Sequence, residues 1–123
     1  MASFGIPVSF IATAHPNESR HFYENQLSLT CQSDDPYALV FDLDGTTLRI
    51  QKVESNPEVS HTVLGWNVEN IKRCVAELTK KGVQFEIFSS LPQDELGIWS
   101  SPSGALIAWF KDPDGNMLSL TQL

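Results

Sequence analysis

The sequence is poor in basic residues, in cysteine and in long apolar runs. Eight Lys and Arg residues face 15 Asp and Glu, a formal net charge of −7. Because neutralising phosphate requires a basic patch, this balance argues against a nucleic-acid binder and against docking on anionic lipid. No run approaches a membrane span, and no basic-apolar-small signal opens the chain. Two cysteines, Cys31 and Cys74, are too few for a disulfide framework or a metal knuckle. We therefore expect a soluble, cytoplasmic protein with free thiols and no membrane or nucleic-acid partner.

An internal repeat is the most informative feature that the sequence does contain. Residues 42–50 match residues 112–120, 70 positions later, at four of nine places. The 123 residues, 41% of them hydrophobic, are enough for one core. Because two halves of this size cannot each bury a core well alone, we expect them to share one. The sequence predicts a single domain, residues 1–123, made of repeats at about 5–55 and 60–123.

Each repeat has the pattern β-α-β-β-β. The first helix is expected to start at His15-Pro16, and the second to present an apolar stripe from Ile71 to Leu78 and to end at Gly82. A stretch rich in Ser, Pro and Gly, Ser89–Gly104, is expected to be a loop. The expected strands are residues 8–13, 29–32, 38–43, 47–53, 62–68, 83–88, 105–111 and 117–121.

The repeated Asp-Gly segments are turns rather than catalytic motifs. Residues 40–46 superficially match the nucleophile strand of haloacid-dehalogenase-type phosphatases. That chemistry also needs a downstream lysine and a further acidic pair on a longer parallel sheet, and here the pattern recurs at Asp112–Gly115. Neither copy has the Glu that a calcium loop carries at its twelfth position. Hairpin turns between apolar runs explain both copies.

The second copy belongs to a longer signature, Phe-Lys-Asp-Pro-Asp-Gly-Asn at residues 110–116. Together with Ser19 and Phe22-Tyr23 in the first helix, and with Leu64-Gly65-Trp66 before Val68-Glu69-Asn70, this paired chain resembles the vicinal oxygen chelate superfamily. That superfamily includes glyoxalase I, bleomycin-resistance proteins, fosfomycin-resistance enzymes and extradiol dioxygenases. The resemblance implies an α+β fold in which two βαβββ modules form an eight-stranded curled mixed sheet around a cleft, with helices on the convex face. It also implies a homodimer.

The resemblance further implies where a metal would be bound in the metal-using members. The four ligand positions correspond here to Val8, Arg49, Val63 and Ser119. Valine has no donor atom, arginine repels a cation, and a lone serine is a weak ligand. The sequence is therefore closest to the metal-lacking, resistance-type members, and we expect no metal and no cofactor.

Strand alternation from those positions predicts which other side chains line the cleft. His61 lies two residues before Val63, and Trp109 is expected opposite Ser119 across the hairpin, whereas Trp66 has the opposite parity and is expected in the core. The loop that carries Trp99 could close over the cleft. The aromatic side chains could equally fill the interior of the protein. The candidate ligand-binding residues are Phe10, Arg49, His61, Trp99, Trp109 and Ser119.

Three functions remain open at this stage. The first is a protein that binds or sequesters a small organic molecule; net charge favours a cationic ligand, whereas Arg49 favours a local anionic group. The second is a metal-independent lyase or isomerase with His61 as base and Arg49 stabilising an anion. The third is a structural partner whose cleft is filled by its own side chains.

Overall fold

The computed structural model describes residues 2–56 and 58–123. Two units are distinguished, one ending at Glu58 and the other running from Val59 to Leu123. In the described part of the chain no helix has both the length and the apolar content that crossing a membrane requires. The elements are β1 (Val8–Thr13), α1 (Pro16–His21) continued by a π-helical segment (Phe22–Gln26), β2 (Thr30–Asp34), β3 (Ala38–Asp42), β4 (Thr47–Lys52), β5 (Thr62–Asn67), α2 (Ile71–Lys80), β6 (Trp99–Ser100), β7 (Leu106–Lys111) and β8 (Met117–Gln122).

Each unit carries its own four-stranded mixed sheet. The strand orders are β1-β4-β3-β2 and β5-β8-β7-β6, and in both sheets the first strand runs parallel to the last. The predicted α+β class and the pair of βαβββ modules are confirmed. A parallel first and last strand requires a crossover between them, and in each unit the helix lies in that crossover.

The core of the first unit lies between its sheet and its helix. Alternate residues of β3 and β4 point to the helix side, among them Phe41 and Leu48, which are fully buried and paired with each other. Tyr23 is fully buried, and its ring lies 5.8 Å from that of Phe41. The helix begins with Pro16 in its first turn, as predicted, because proline's fixed φ and missing N–H suit that position.

Two fully buried hydroxyl groups in this unit differ in their hydrogen bonding. The Thr13 Oγ1 accepts the backbone N–H of His15 at 3.0 Å, whereas the Ser19 hydroxyl has no partner among the described residues. We expect Ser19→Ala to leave the free energy of unfolding unchanged or to raise it by up to about 1 kcal/mol, because an unsatisfied polar group is removed.

The matched variant Thr13→Val keeps the volume but leaves the His15 N–H without that acceptor. It should lower the free energy of unfolding by about 1–2 kcal/mol in urea denaturation. A larger loss from Ser19→Ala than from Thr13→Val would contradict this account of the two hydroxyls.

In the second unit, α2 forms as the apolar stripe predicts. The Asn70 side chain caps the helix by accepting the Arg73 N–H at 3.1 Å, and Ile71 and Val75 are buried. The chain leaves the helix at Gly82, whose φ of +94° is the left-handed conformation that glycine adopts without a steric cost.

The prediction of a strand at residues 83–88 is wrong. This segment makes an isolated bridge to β7, Phe85 to Phe110, in which the Glu86 N–H donates to the Trp109 carbonyl. On the side of β7 away from β8, the strand that pairs with it is β6, which lies in the segment expected to be a loop. Two short segments, the bridge at Phe85 and strand β6, therefore lie beside β7, whereas in the first unit the single strand β2 lies beside β3.

A glutamine side chain explains why neither segment extends into a longer strand. The Gln93 Oε1 accepts the Phe88 N–H at 2.7 Å, and its Nε2 donates to the carbonyls of Glu86 and Gly97 at 2.9 and 2.8 Å. These bonds satisfy backbone groups that a β-ladder would otherwise satisfy. The Asp94 carboxylate similarly accepts the N–H of Ile98 at 2.9 Å. Hydrogen bonds between the side chains of Gln93 and Asp94 and the backbone thus hold this part of segment 89–104 in place.

The two Asp-Gly hairpins differ by one residue. In the first, Leu43 N–H bonds the Thr46 carbonyl at 2.8 Å around a two-residue turn. In the second, the Asp112 N–H bonds the Asn116 carbonyl, and Gly115, with φ +85°, is the last of three loop residues. Hairpin turns are confirmed at both places, but the two repeats use turns of different length.

Candidate functional site

The helix-free face of each sheet, the face turned away from the unit's helix, carries the candidate residues. In the second sheet Phe110 and Leu118 are paired and fully buried on the helix side. The neighbouring pair, Trp109 with Ser119, therefore points to the helix-free face, as predicted. Trp66 is paired with the buried Leu120, which places it on the helix side.

Three aromatic rings, Phe88, Trp99 and Trp109, form a cluster on the helix-free face of the second sheet. The Trp109 ring lies 5.5 Å from that of Phe88, edge to face, and 6.0 Å from that of Trp99. All three side chains are half-buried, so part of the aromatic surface is left exposed. The structure thus brings the predicted Trp99 and Trp109 together, and it adds Phe88, which the sequence reading had placed in a strand.

The chain around this aromatic cluster is acidic. From Gly82 to Phe110 there is no Lys or Arg, whereas Glu86, Asp94 and Glu95 fall within that stretch. Glu86 forms an ion pair with Lys111, with the Nζ and Oε1 atoms 3.7 Å apart. Apart from this pair, the stretch carries only negative charge, which favours a cation over an anion in its vicinity.

Ser119 is packed against a glycine of the neighbouring strand. A Cβ atom on Gly65 would lie 2.5 Å from the Ser119 Oγ and 3.2 Å from its carbonyl oxygen. We expect Gly65→Ala to lower the free energy of unfolding by about 1–3 kcal/mol, because the two side chains cannot occupy the same space.

Removing the hydroxyl in the double variant Gly65→Ala/Ser119→Ala should recover most of that loss. Urea denaturation of the two single variants and the double variant measures the coupling. Strictly additive effects would contradict the contact.

The helix-free face of the first sheet carries Arg49 between two apolar neighbours. In the register of that sheet Arg49 is paired with Phe10 on β1 and with Val40 on β3. The Phe10 side chain is 56% exposed, whereas Arg49 is half-buried. Within residues 2–56 and 58–123 the Arg49 guanidinium makes no hydrogen bond or ion pair. Its five donors are available to a ligand.

The other basic side chains of this unit are already paired. Asp34 accepts hydrogen bonds from both Lys52 and Arg20. These bonds, chiefly that from the Lys52 ammonium, hold the pKa of Asp34 below its usual value. Arg20 also pairs with Glu24 one helical turn away. Arg49 is thus the cation of the first unit that these described ion pairs leave unused.

His61 lies outside the regular part of β5. It is exposed, it immediately precedes the strand, and it makes no hydrogen bond among the described residues. A β-bulge between Thr62 and Leu64 interrupts the strict alternation from which the side of His61 was predicted. The sequence carries no signal for that bulge.

The residues at the implied metal-ligand positions do not fit a divalent cation. Val8 has no donor atom, the Arg49 guanidinium is a cation itself, the β-bulge occupies the position of Val63, and the Ser119 hydroxyl packs on Gly65. Across residues 2–56 and 58–123 no group of three or more His, Cys, Asp and Glu side chains is placed to hold a metal.

Two open grooves of the second unit lie away from the candidate residues. One, of about 360 Å³, is lined by Asn67, Val68, Glu69, Gln122 and Leu123. The other, of about 450 Å³, is lined by Thr79, Val83, Gln84, Phe85, Glu86, Ile87, Glu95 and Leu96. Neither includes a predicted ligand-binding residue.

Solved structures share this fold over nearly their whole length. A member of the glyoxalase/bleomycin resistance protein/dioxygenase superfamily from Sphaerobacter thermophilus has a TM-score of 0.75 and 20% identity, covering 98% of this chain and 98% of its own. A lactoylglutathione lyase from Agrobacterium tumefaciens has a TM-score of 0.75 and 12% identity, covering 99% and 96%. An antibiotic binding protein from a Streptomyces species has a TM-score of 0.71 and 20% identity, covering 99% and 98%.

No protein-family model and no curated protein matches the sequence. At these identities the likeness establishes the fold alone. The chain has the fold of the glyoxalase/bleomycin resistance protein/dioxygenase superfamily, as the sequence resemblance predicted.

Proposed function

We propose that this protein binds a small organic molecule without a metal, and that the aromatic cluster of Phe88, Trp99 and Trp109 provides the surface for a planar group. The observation that carries the proposal is the cluster itself: Trp109 in contact with both Phe88 and Trp99, half-exposed on a sheet face that the unit's own helix does not cover. Aromatic faces of this kind favour offset stacking and cation–π contacts. The antibiotic binding protein with the same fold lends support.

Arg49 provides a second recognition element on the first sheet. The half-buried Arg49 guanidinium attracts the Asp35 carboxylate through space but donates no hydrogen bond among the described residues, so its donors must be satisfied by a ligand or by water. Its planar fork suits a carboxylate, sulfonate or phosphate oxygen pair. The exposed Phe10 ring beside it supplies an apolar contact. We propose that Arg49 on the first sheet binds an anionic group and that the aromatic cluster on the second sheet binds a planar group, each considered within its own unit.

The role of Arg49 is tested with two planar dyes of opposite charge. Anilinonaphthalene sulfonate, an anion, and acridine orange, a cation, are titrated by fluorescence against the wild-type protein. Arg49→Gln should weaken binding of the sulfonate dye about tenfold, because one charge-assisted hydrogen bond is lost. Binding of acridine orange should be unchanged or slightly tighter.

Lys52→Gln is the matched control, since it removes one positive charge from the same strand at a residue already paired with Asp34. Its effect on the sulfonate dye should stay within about twofold, the size expected of a distant, screened charge. Equal losses from the two variants would mean that net charge alone governs binding and would overturn the role given to Arg49.

A metal-independent lyase or isomerase is the second candidate, favoured by the same guanidinium, whose free hydrogen-bond donors could stabilise an oxyanion. His61 would be its base, with Arg49 as the anion stabiliser. A lactoylglutathione lyase shares the fold. His61→Ala in an assay of lactoylglutathione formation tests it: loss of turnover with an unchanged melting temperature supports the enzyme. Absent turnover in the wild-type protein removes this candidate.

We also propose that the protein forms a homodimer in the cytoplasm, where its two free cysteines stay reduced. Apolar side chains alternate along the segment that leads into β1, an edge strand of the first sheet. Phe4, Ile6, Val8 and Phe10 are 95%, 71%, 47% and 56% exposed. An apolar row of this kind on an edge strand favours pairing with a second copy. Sedimentation equilibrium tests the stoichiometry, and a monomer at every concentration would contradict it.

A further inference from the structure

The turn between β3 and β4 combines an exposed aspartate with a glycine whose amide is free. Asp44 and Gly45 are both exposed, with φ values of +59° and +113°. The Asp44 N–H is held by the Asp42 carboxylate at 3.1 Å. Among the described residues, neither the Asp44 carboxyl group nor the Gly45 N–H has a hydrogen-bond partner.

We propose that Asp44 is a site of spontaneous isoaspartate formation in the folded protein. The Gly45 nitrogen attacks the Asp44 side-chain carbon; a C–N bond forms, and the carboxyl oxygen leaves as water, giving a cyclic imide. Water then adds to the former main-chain carbonyl and breaks its bond to the Gly45 nitrogen. The chain now runs through the side-chain carbon, with no net change in atoms. The attack needs room around the turn, and Gly45 has it, since even an added Cβ would meet no residue beyond its chain neighbours within 4 Å.

The second Asp-Gly dipeptide supplies an internal control with the same chemistry and different hydrogen bonding. The Gly115 N–H donates to the Asp112 carbonyl at 3.0 Å, and the Asp114 N–H donates to the Asp112 carboxylate at 2.9 Å. Asp114 is also half-buried. The attacking nitrogen must first leave its hydrogen bond. We therefore expect Asp114 to convert about tenfold more slowly than Asp44 in the folded state, a factor that one to two hydrogen bonds supply.

The modification reaches the ligand-binding surface through the sheet. A two-residue hairpin turn sets the register between its strands, and isoaspartate adds one backbone carbon to it. The register of β4 against β3 fixes Arg49 opposite Val40. As isoaspartate accumulates at position 44 with the age of the protein, this register becomes less well defined, and so does the position of Arg49.

The test is incubation of the folded protein at mildly acidic pH and body temperature, because a protonated carboxyl group loses water far more readily than a carboxylate. Isoaspartate is quantified with an isoaspartyl methyltransferase and labelled methyl donor, and the site is assigned by electron-transfer fragmentation of peptides. The variants are Asp44→Gly, which keeps the positive φ of the turn, and its match Asp114→Gly. Label should accumulate at Asp44, vanish in Asp44→Gly and persist in Asp114→Gly.

Urea-unfolded protein should convert at both sites at similar rates, which shows that the folded structure sets the difference. Equal rates at the two sites in the folded protein, or no label at Asp44 while the unfolded protein is labelled, would overturn the proposal. These outcomes do not depend on whether the protein binds a ligand.

Discussion

Replacing Asp112 with alanine is expected to lower the free energy of unfolding by about 2–4 kcal/mol, because it leaves buried N–H donors without an acceptor. Asp112 is 6% exposed, and its carboxylate accepts three hydrogen bonds within its turn. Two come from the backbone N–H groups of Asp114 and Asn116, both at 2.9 Å, and one from the Asn116 side-chain amide at 2.8 Å. Urea denaturation measures the loss.

Asp42, the residue at the same place in the first repeat, is the matched control. It is exposed, and its carboxylate accepts a hydrogen bond from the Asp44 N–H at 3.1 Å. Asp42→Ala should therefore cost no more than about 1 kcal/mol. Equal costs at the two positions would contradict the claim that only the second turn is held by a buried carboxylate.

Replacing Trp109 with alanine is expected to weaken binding of a planar dye at least about tenfold, since the central ring of the aromatic cluster is lost. Trp109 contacts both Phe88 and Trp99, so no other ring of the cluster can substitute for it. Acridine orange is the probe of choice, because no Lys or Arg lies between Gly82 and Phe110. Fluorescence anisotropy gives the dissociation constant.

Trp66→Leu is the control for this variant. It removes a tryptophan of the same sheet, but from the helix side, where Trp66 is paired with Leu120. Dye affinity should remain within about twofold of wild type if the helix side takes no part in binding. Weakening of the same size in both variants would mean that a general loss of packing in the sheet, and not the loss of a ring from the cluster, reduces dye binding.

The secondary structure was largely predictable because the local signals agree with the final packing. Seven of the eight predicted strands form, and α2 follows its apolar stripe. The exception is residues 83–88, where an apolar run has the sequence pattern of a strand. A side chain further along, Gln93, takes over the backbone groups there. A hydrogen bond from one side chain to the backbone several residues earlier does not change the pattern of apolar and polar residues, so the sequence pattern does not reveal it.

The positions of the candidate residues were predictable where they depend on strand register and not where they depend on irregular backbone. Trp109 and Ser119 lie opposite each other because an antiparallel hairpin fixes its pairs. Phe88 was missed because its contact with Trp109 depends on how the segment after it folds back. For His61 the bulge between Thr62 and Leu64 breaks the alternation, and a bulge in a β-branched and leucine-rich run is not visible in the residues themselves.

The proposal that this protein takes an organic ligand without a metal is tested most directly by one set of melting curves. Metal-free protein, expressed without an affinity tag, is melted with nickel, zinc, manganese or iron(II), and separately in chelator with acridine orange and with anilinonaphthalene sulfonate. We predict saturable stabilisation by at least one dye in chelator, reduced in Trp109→Ala or Arg49→Gln, and no saturable shift with any metal. A stoichiometric metal that stabilises the protein, with no shift from either dye, would contradict the account.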